Sequence, residues 1–355
     1  MPKINLYAIY AMKIFVQKYS IISYLILTYA ISYISWFLPV ITSFSTEIVF
    51  FLILLGMFGP MISAFIVLAI QSEARIKIGS KPVFYSILIF AFTVLFFRIL
   101  LSSKEAGNYY IEYIPYLKGL MPAFKDITWV GWALYLLLAL IPALGFSKVS
   151  DSHIRENFFK TLKFKPDYIG WYIFALLLFP LLFITSYFVA DLINIEKSEA
   201  TGINFPFYFV VIPFFTTFFF TGGNEEFGWR GFMQKELQKL TNPLFTSLVI
   251  AFFWALWHLP LHYNGLYSTG GFIDLLPRFI QAIPVTILFT WFYNRSEYSI
   301  LTLIILHTSI NFSSGFISYS PVVMTVLAII LMLFFVFNSK MWKKKDYHNQ
   351  FYGYL

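Results

Sequence analysis

Apolar runs as long as a bilayer crossing set the narrowest limit on what this chain can fold into. A helix rises ~1.5 Å per residue, so ~20 apolar residues cross a hydrocarbon core ~30 Å thick. The first five such runs extend roughly over Ser20 to Ser43, Ile48 to Ile70, Pro82 to Leu101, Thr128 to Phe146 and Tyr168 to Leu192. A second group covers Phe205 to Phe220, Pro243 to His262, Leu275 to Tyr293, Ser299 to Ser318 and Val322 to Phe337. Hydrophobic residues make up 59% of the 355 and charged residues 12%, which leaves too little polar surface for a soluble protein. The predicted fold is all-α, a polytopic transmembrane helical bundle of about ten spans.

The net charge of +8 could point to nucleic acid. No stretch, however, forms a basic groove interleaved with exposed aromatics on a soluble element, so no nucleic-acid partner is expected. The bilayer accounts for the charge better. With the N-terminus inside, about 19 of the 25 Lys and Arg fall in cytoplasmic segments, Arg230 among them, while Arg278 is one of the few outside. Both termini are then cytoplasmic, in a plasma membrane of prokaryotic type. The first 20 residues hold spaced Lys but no short apolar core with a small-residue cleavage site, so the first span is expected to stay. Lys343 to Lys345 read as a lipid-headgroup patch. The chain divides into residues 1–200 with about five spans, a catalytic helical core at 201–320, and a last span with a basic tail at 321–355. With no Cys in the chain, thiolate catalysis and Cys-ligated zinc are excluded.

Ionisable groups inside the hydrocarbon are costly and mark function by default. The first five runs have almost none in their interiors. Thr221 to Arg230 follows the sixth run and contains Glu225, Glu226 and Arg230; His258 closes the seventh; His307 and Asn311 lie in the ninth. Counting helical rise from the inner ends puts Glu225, His258, His307 and Asn311 at overlapping depths. His307 and Asn311, four apart, share a helix face, as do Glu226 and Arg230, whereas Glu225 points about 100° away from Glu226. Glu226 can therefore pair with Arg230 while Glu225 faces a cavity. Gly222-Gly223 predicts a broken helix near the site, with Asn224 as N-cap. The chemistry that fits is water activation by Glu225, with His and Asn donors on the developing oxyanion.

Plainer readings stand beside this one. The Glu225, Glu226 and Arg230 run can be a solvated helix end, and His258, like His262, an interfacial side chain reaching water. His307 and Asn311 can be interhelical hydrogen bonds. His258, His307 and Glu226 could also supply three zinc ligands, although no His-Glu-x-x-His helix is present. A transporter or a non-catalytic immunity scaffold could use the same cluster.

Over roughly Phe205 to Tyr319 the arrangement resembles the CPBP family, the CAAX protease and bacteriocin-processing (Abi) intramembrane endopeptidases, which include the type II CAAX prenyl proteases. The motifs are Glu225-Glu226 followed by Arg230, Trp254 four residues before His258 where the family has Phe, and His307 four residues before Asn311. The resemblance implies Glu225 as the water-activating residue and His258, His307 and Asn311 around the scissile carbonyl. It implies Glu226, Arg230 and Trp254 in support, no metal cofactor, and a membrane-embedded or lipidated peptide or protein substrate.

Overall fold

The computed structural model describes residues 6–72, 76–77, 148–149, 152–158, 160–198, 214, 217–219, 222–265, 267 and 270–344. The spans expected at Pro82 to Leu101 and Thr128 to Phe146, and most of Phe205 to Phe220, lie outside these. The described chain is helical apart from a two-residue antiparallel pairing of β1 (Ile76–Lys77) with β2 (Lys148–Val149). Its helices are α1 (Leu6–Lys18), α2 (Ser20–Ile41), α3 (Thr46–Met57), α4 (Gly59–Ser72), α5 (Ser152–Phe158) and α6 (Ile169–Leu192). Then follow α7 (Glu226–Gly228), a π-helical segment Trp229–Gln234, α8 (Lys235–Leu240), α9 (Pro243–Trp257), α10 (Phe272–Arg295), α11 (Ile300–Phe316) and α12 (Pro321–Ser339).

Among the described residues α2, α6, α10 and α12 are each long and apolar enough to cross a membrane, and α3 with α4 reaches that length and hydropathy only as a pair, bent by 53°. Their outward faces are apolar stripes at helical spacing: Ile173, Leu177, Leu181, Ile184 and Phe188 on α6, and Val322, Val326, Ile330, Phe334 and Phe337 on α12. In water such stripes would be a liability; against acyl chains they are the solvent-matched surface. Small polar residues hold the inner faces together, as Ser186 Oγ donates to the Ser320 carbonyl at 3.0 Å and Ser309 Oγ to that of Leu176 at 2.9 Å. α6 packs on α11, α9 on α10, α10 on α12, and α2 on both α3 and α4.

Two proline breaks shape the region around the site. Ile48 to Ile70, expected as one span, divides at Phe58 because Pro60 has no N–H for the Gly56 carbonyl four residues back. Ser32 Oγ supplies the missing donor at 2.8 Å. Likewise α9 ends at Trp257 rather than running on to His262, and a 3₁₀ turn, Leu259–His262, follows. Pro260 leaves the Leu256 carbonyl without its helical donor, and Tyr33 Oη reaches across from α2 to donate to it at 2.6 Å. Non-helical backbone at membrane depth is tolerated where protein side chains satisfy it in this way.

Candidate active site

The site grows from the break at Gly222. Asn224 is not the expected N-cap: its side-chain oxygen accepts from the Gly222 N–H at 3.1 Å, and its amide donates to the Met57 carbonyl at 2.8 Å. The break at Phe58 is what leaves that carbonyl open, so the bent span α3–α4 anchors the loop carrying the glutamates. Gly228 fits against α4 because a Cβ there would lie 2.5 Å from the Pro60 carbonyl oxygen. Glu225 closes a 3₁₀ turn, Gly223–Glu225, and Glu226 opens α7, which passes directly into the π segment. Wide π turns recur at functional sites.

Successive helical positions send the two carboxylates in different directions, as anticipated. Glu225 Oε2 accepts from the Trp254 indole N–H of α9 at 2.8 Å. Glu226 Oε1 accepts from Arg230 Nη1 at 2.9 Å and pairs with His307 Nδ1 of α11 at 2.6 Å. Glu225 is 3% exposed, and Glu226 and Arg230 are 0% exposed, so these residues are not a solvated helix end. Arg230 is a site residue rather than a loop charge, and its guanidinium also lies over the Phe289 ring, 4.5 Å from the centroid.

His307 and Asn311 both come up against Gly222. A Cβ on that glycine would lie 2.9 Å from Asn311 Nδ2 and 3.0 Å from His307 Cδ2, so only glycine lets the chain pass this close. The Trp254 ring stands between the two histidines, 5.4 Å from the His258 ring and 5.7 Å from that of His307. A cavity of about 180 Å³ opens beside this cluster between α6, α10, α11 and α12. Trp254 and Asn311 line it, whereas Glu225, His258 and His307 do not and are buried.

His258 has both ring nitrogens engaged. Nδ1 lies 2.6 Å from the Trp254 carbonyl and Nε2 lies 2.8 Å from Arg278 Nη2. Since a carbonyl and a guanidinium can only accept and donate respectively, the proton is on Nδ1 and Nε2 is the acceptor. Arg278 is therefore a residue of the site on α10, where loop counting had put it among the outside charges. Nothing in its sequence neighbourhood marks it as a site residue: it follows Asp274 by four residues in an otherwise apolar stretch. His262, expected at an interface reaching water, is 7% exposed and packs edge-on against Tyr267 at 5.6 Å.

Among the described residues His258, His307 and Glu226 do not converge as three zinc ligands: His258 Nε2 faces a guanidinium, and His307 Nδ1 pairs with Glu226.

A helical bundle with a lipid-facing apolar surface, enclosing paired carboxylates, imidazoles and a guanidinium beside a cavity, defines an integral membrane protein with a buried polar centre. Residues 205–313 match the family described as type II CAAX prenyl endopeptidase Rce1-like. A 130-residue stretch is 29% identical to CAAX prenyl protease 2 of Methanococcus maripaludis and covers 34% of this chain. The match takes in 48% of that protein, so the chain spans about half the length of its relative. Over this segment the chain is similar to the CAAX protease family.

Proposed function

We propose that the protein is an intramembrane endopeptidase in which Glu225 activates water against a peptide bond of a membrane-associated substrate. The observation that carries the reading is a buried carboxylate tied to one indole donor, on a loop whose Gly222 lies against His307 and Asn311. Glu225 takes a proton from water, and the resulting hydroxide attacks the carbonyl carbon. Asn311 Nδ2 and, as imidazolium, His307 Nε2 donate to the oxyanion. Glu226 steadies that imidazolium through Nδ1, and Arg230 balances the second carboxylate. The C–N bond then breaks as the proton on Glu225 passes to the departing amine.

His258, by its contacts, is a positioning residue that fixes the Trp254 carbonyl and Arg278. Trp254 covers Glu225 from the cavity side, so substrate entry requires the indole to shift. The name of the relative suggests a prenylated CAAX-type substrate, and the apolar surroundings suit a lipidated or membrane-embedded peptide.

The reaction as written uses no metal. The test is purified protein in liposomes with a fluorogenic membrane-anchored peptide, with and without o-phenanthroline. Cleavage that survives the chelator and is abolished in Glu225→Ala is expected. Stoichiometric zinc with chelator-sensitive turnover would replace the carboxylate reading with a metalloprotease, and no cleavage by wild type would leave a binding scaffold or transporter.

A further inference from the structure

Arg278 differs from the other arginine of the site. Arg230 is neutralised by Glu226, but among the described residues no carboxylate lies within ion-pair distance of Arg278. Its Nη2 donates to the neutral acceptor nitrogen of His258, and its Nε is buried without a hydrogen-bond partner. The guanidinium lies over Trp254 at 5.4 Å and over Tyr267 at 5.5 Å, which fixes its plane. A half-buried cation whose Nε is unpaired and which has no carboxylate in ion-pair contact is costly in a low-dielectric bundle. An anion brought by the substrate would remove that cost.

The cavity says what kind of anion. Arg278, Gln281 and Asn311 supply its polar wall, while Phe183, Val285 and Met324 supply an apolar one. Such a chamber takes a carboxylate borne on aliphatic matter. The planar fork of a guanidinium matches the two oxygens of a carboxylate. Trp254 links the two centres, because its ring lies under Arg278 while its N–H holds Glu225. A carboxylate at Arg278 would therefore stand within a few residues of the attacked bond. His307 and Asn311 already flank Gly222 for the oxyanion, leaving Arg278 for an anion present before reaction.

We propose that Arg278 is a substrate-binding residue that anchors a carboxylate of the peptide, either the chain terminus or an acidic side chain near the cleaved bond. The inference rests on the protease reading. Four versions of one membrane-anchored peptide separate the two sources: free or amidated at the C-terminus, each with Asp or Asn near the end. In wild type, removing the recognised carboxylate should raise KM about 10- to 100-fold with little change in kcat, as expected for loss of a charge-assisted hydrogen bond. Arg278→Gln and Arg278→Met should cleave all four with the same weak KM. Sensitivity to amidation alone assigns the terminus, and sensitivity to Asp→Asn alone assigns the side chain.

Anisotropy binding to the Glu225→Gln protein repeats the comparison without turnover. Discrimination there, with no cleavage by wild type, would overturn the protease reading and leave the carboxylate site standing. Equal treatment of all four peptides by wild type, or full discrimination in either folded Arg278 variant, would overturn the proposal. If neither variant folds, equal treatment of the four peptides by wild type still overturns it.

Discussion

Glu226 accepts from Arg230 and pairs with His307 through a single oxygen, with all three side chains out of reach of water. Its loss would strand a guanidinium in the bundle, and breaking a buried pair on one side costs ~3–5 kcal/mol. Glu226→Gln should therefore lower the melting temperature and the turnover together. Replacing both partners by neutral groups of similar shape, as in Glu226→Gln with Arg230→Met, should restore much of the melting temperature but not the activity. Thermal unfolding of matched detergent-purified variants checks both, and an unchanged melting temperature in the single variant would contradict the pairing. The Glu226–Arg230 pair was legible in the sequence, because helical spacing decides which side chains share a face and carboxylates inside an apolar run have few other uses; the contact of Glu226 with His307, on a separate helix, was not. Arg278 was not legible: an arginine near the start of a span looks the same whether it faces lipid headgroups or a cavity, and only the fold brings His258 to it.

At the level of elements the site depends on two interrupted helices. The break at Gly222-Gly223 was foreseen from the glycine pair, yet its anchoring was not, since Asn224 bonds across the bundle to Met57, 167 residues away in sequence. The bend at Phe58 carried a local sign, Gly59-Pro60, that the length of the apolar run obscured. Nor does composition foretell the π segment at Trp229–Gln234. Asn224→Ala would orphan the buried Met57 carbonyl and release the Gly222 N–H, at a cost of ~1–3 kcal/mol for the unsatisfied group. Turnover should drop at least tenfold with a lower melting temperature, read from the same assay pair. Gly222→Ala should spare the melting temperature more than the activity, because its methyl group would press on the donor ends of His307 and Asn311. Activity within twofold of wild type would mean that the close approach of Gly222 to these side chains does not matter to the chemistry.

For the molecule as a whole, hydropathy made the class of fold plain, and the described helices α2, α6, α10 and α12 coincide with predicted runs. The span count itself was less accessible, because α9 and α11 are shorter than a bilayer crossing. Arg230 and Arg278 belong to the site and drop out of the loop tally, and the remaining basic residues keep the same asymmetry. Reporter fusions should accordingly read cytoplasmic at both termini, and an external C-terminus would mean an odd number of spans. The central claim, a carboxylate that activates water inside a helical membrane bundle, reduces to one comparison: the rate at which purified wild type and Glu225→Gln cleave a membrane-anchored peptide, each scored with its melting temperature. A fall in turnover of about a hundredfold or more, with the melting temperature held, is the predicted result; full activity in the folded Glu225→Gln protein would contradict the account.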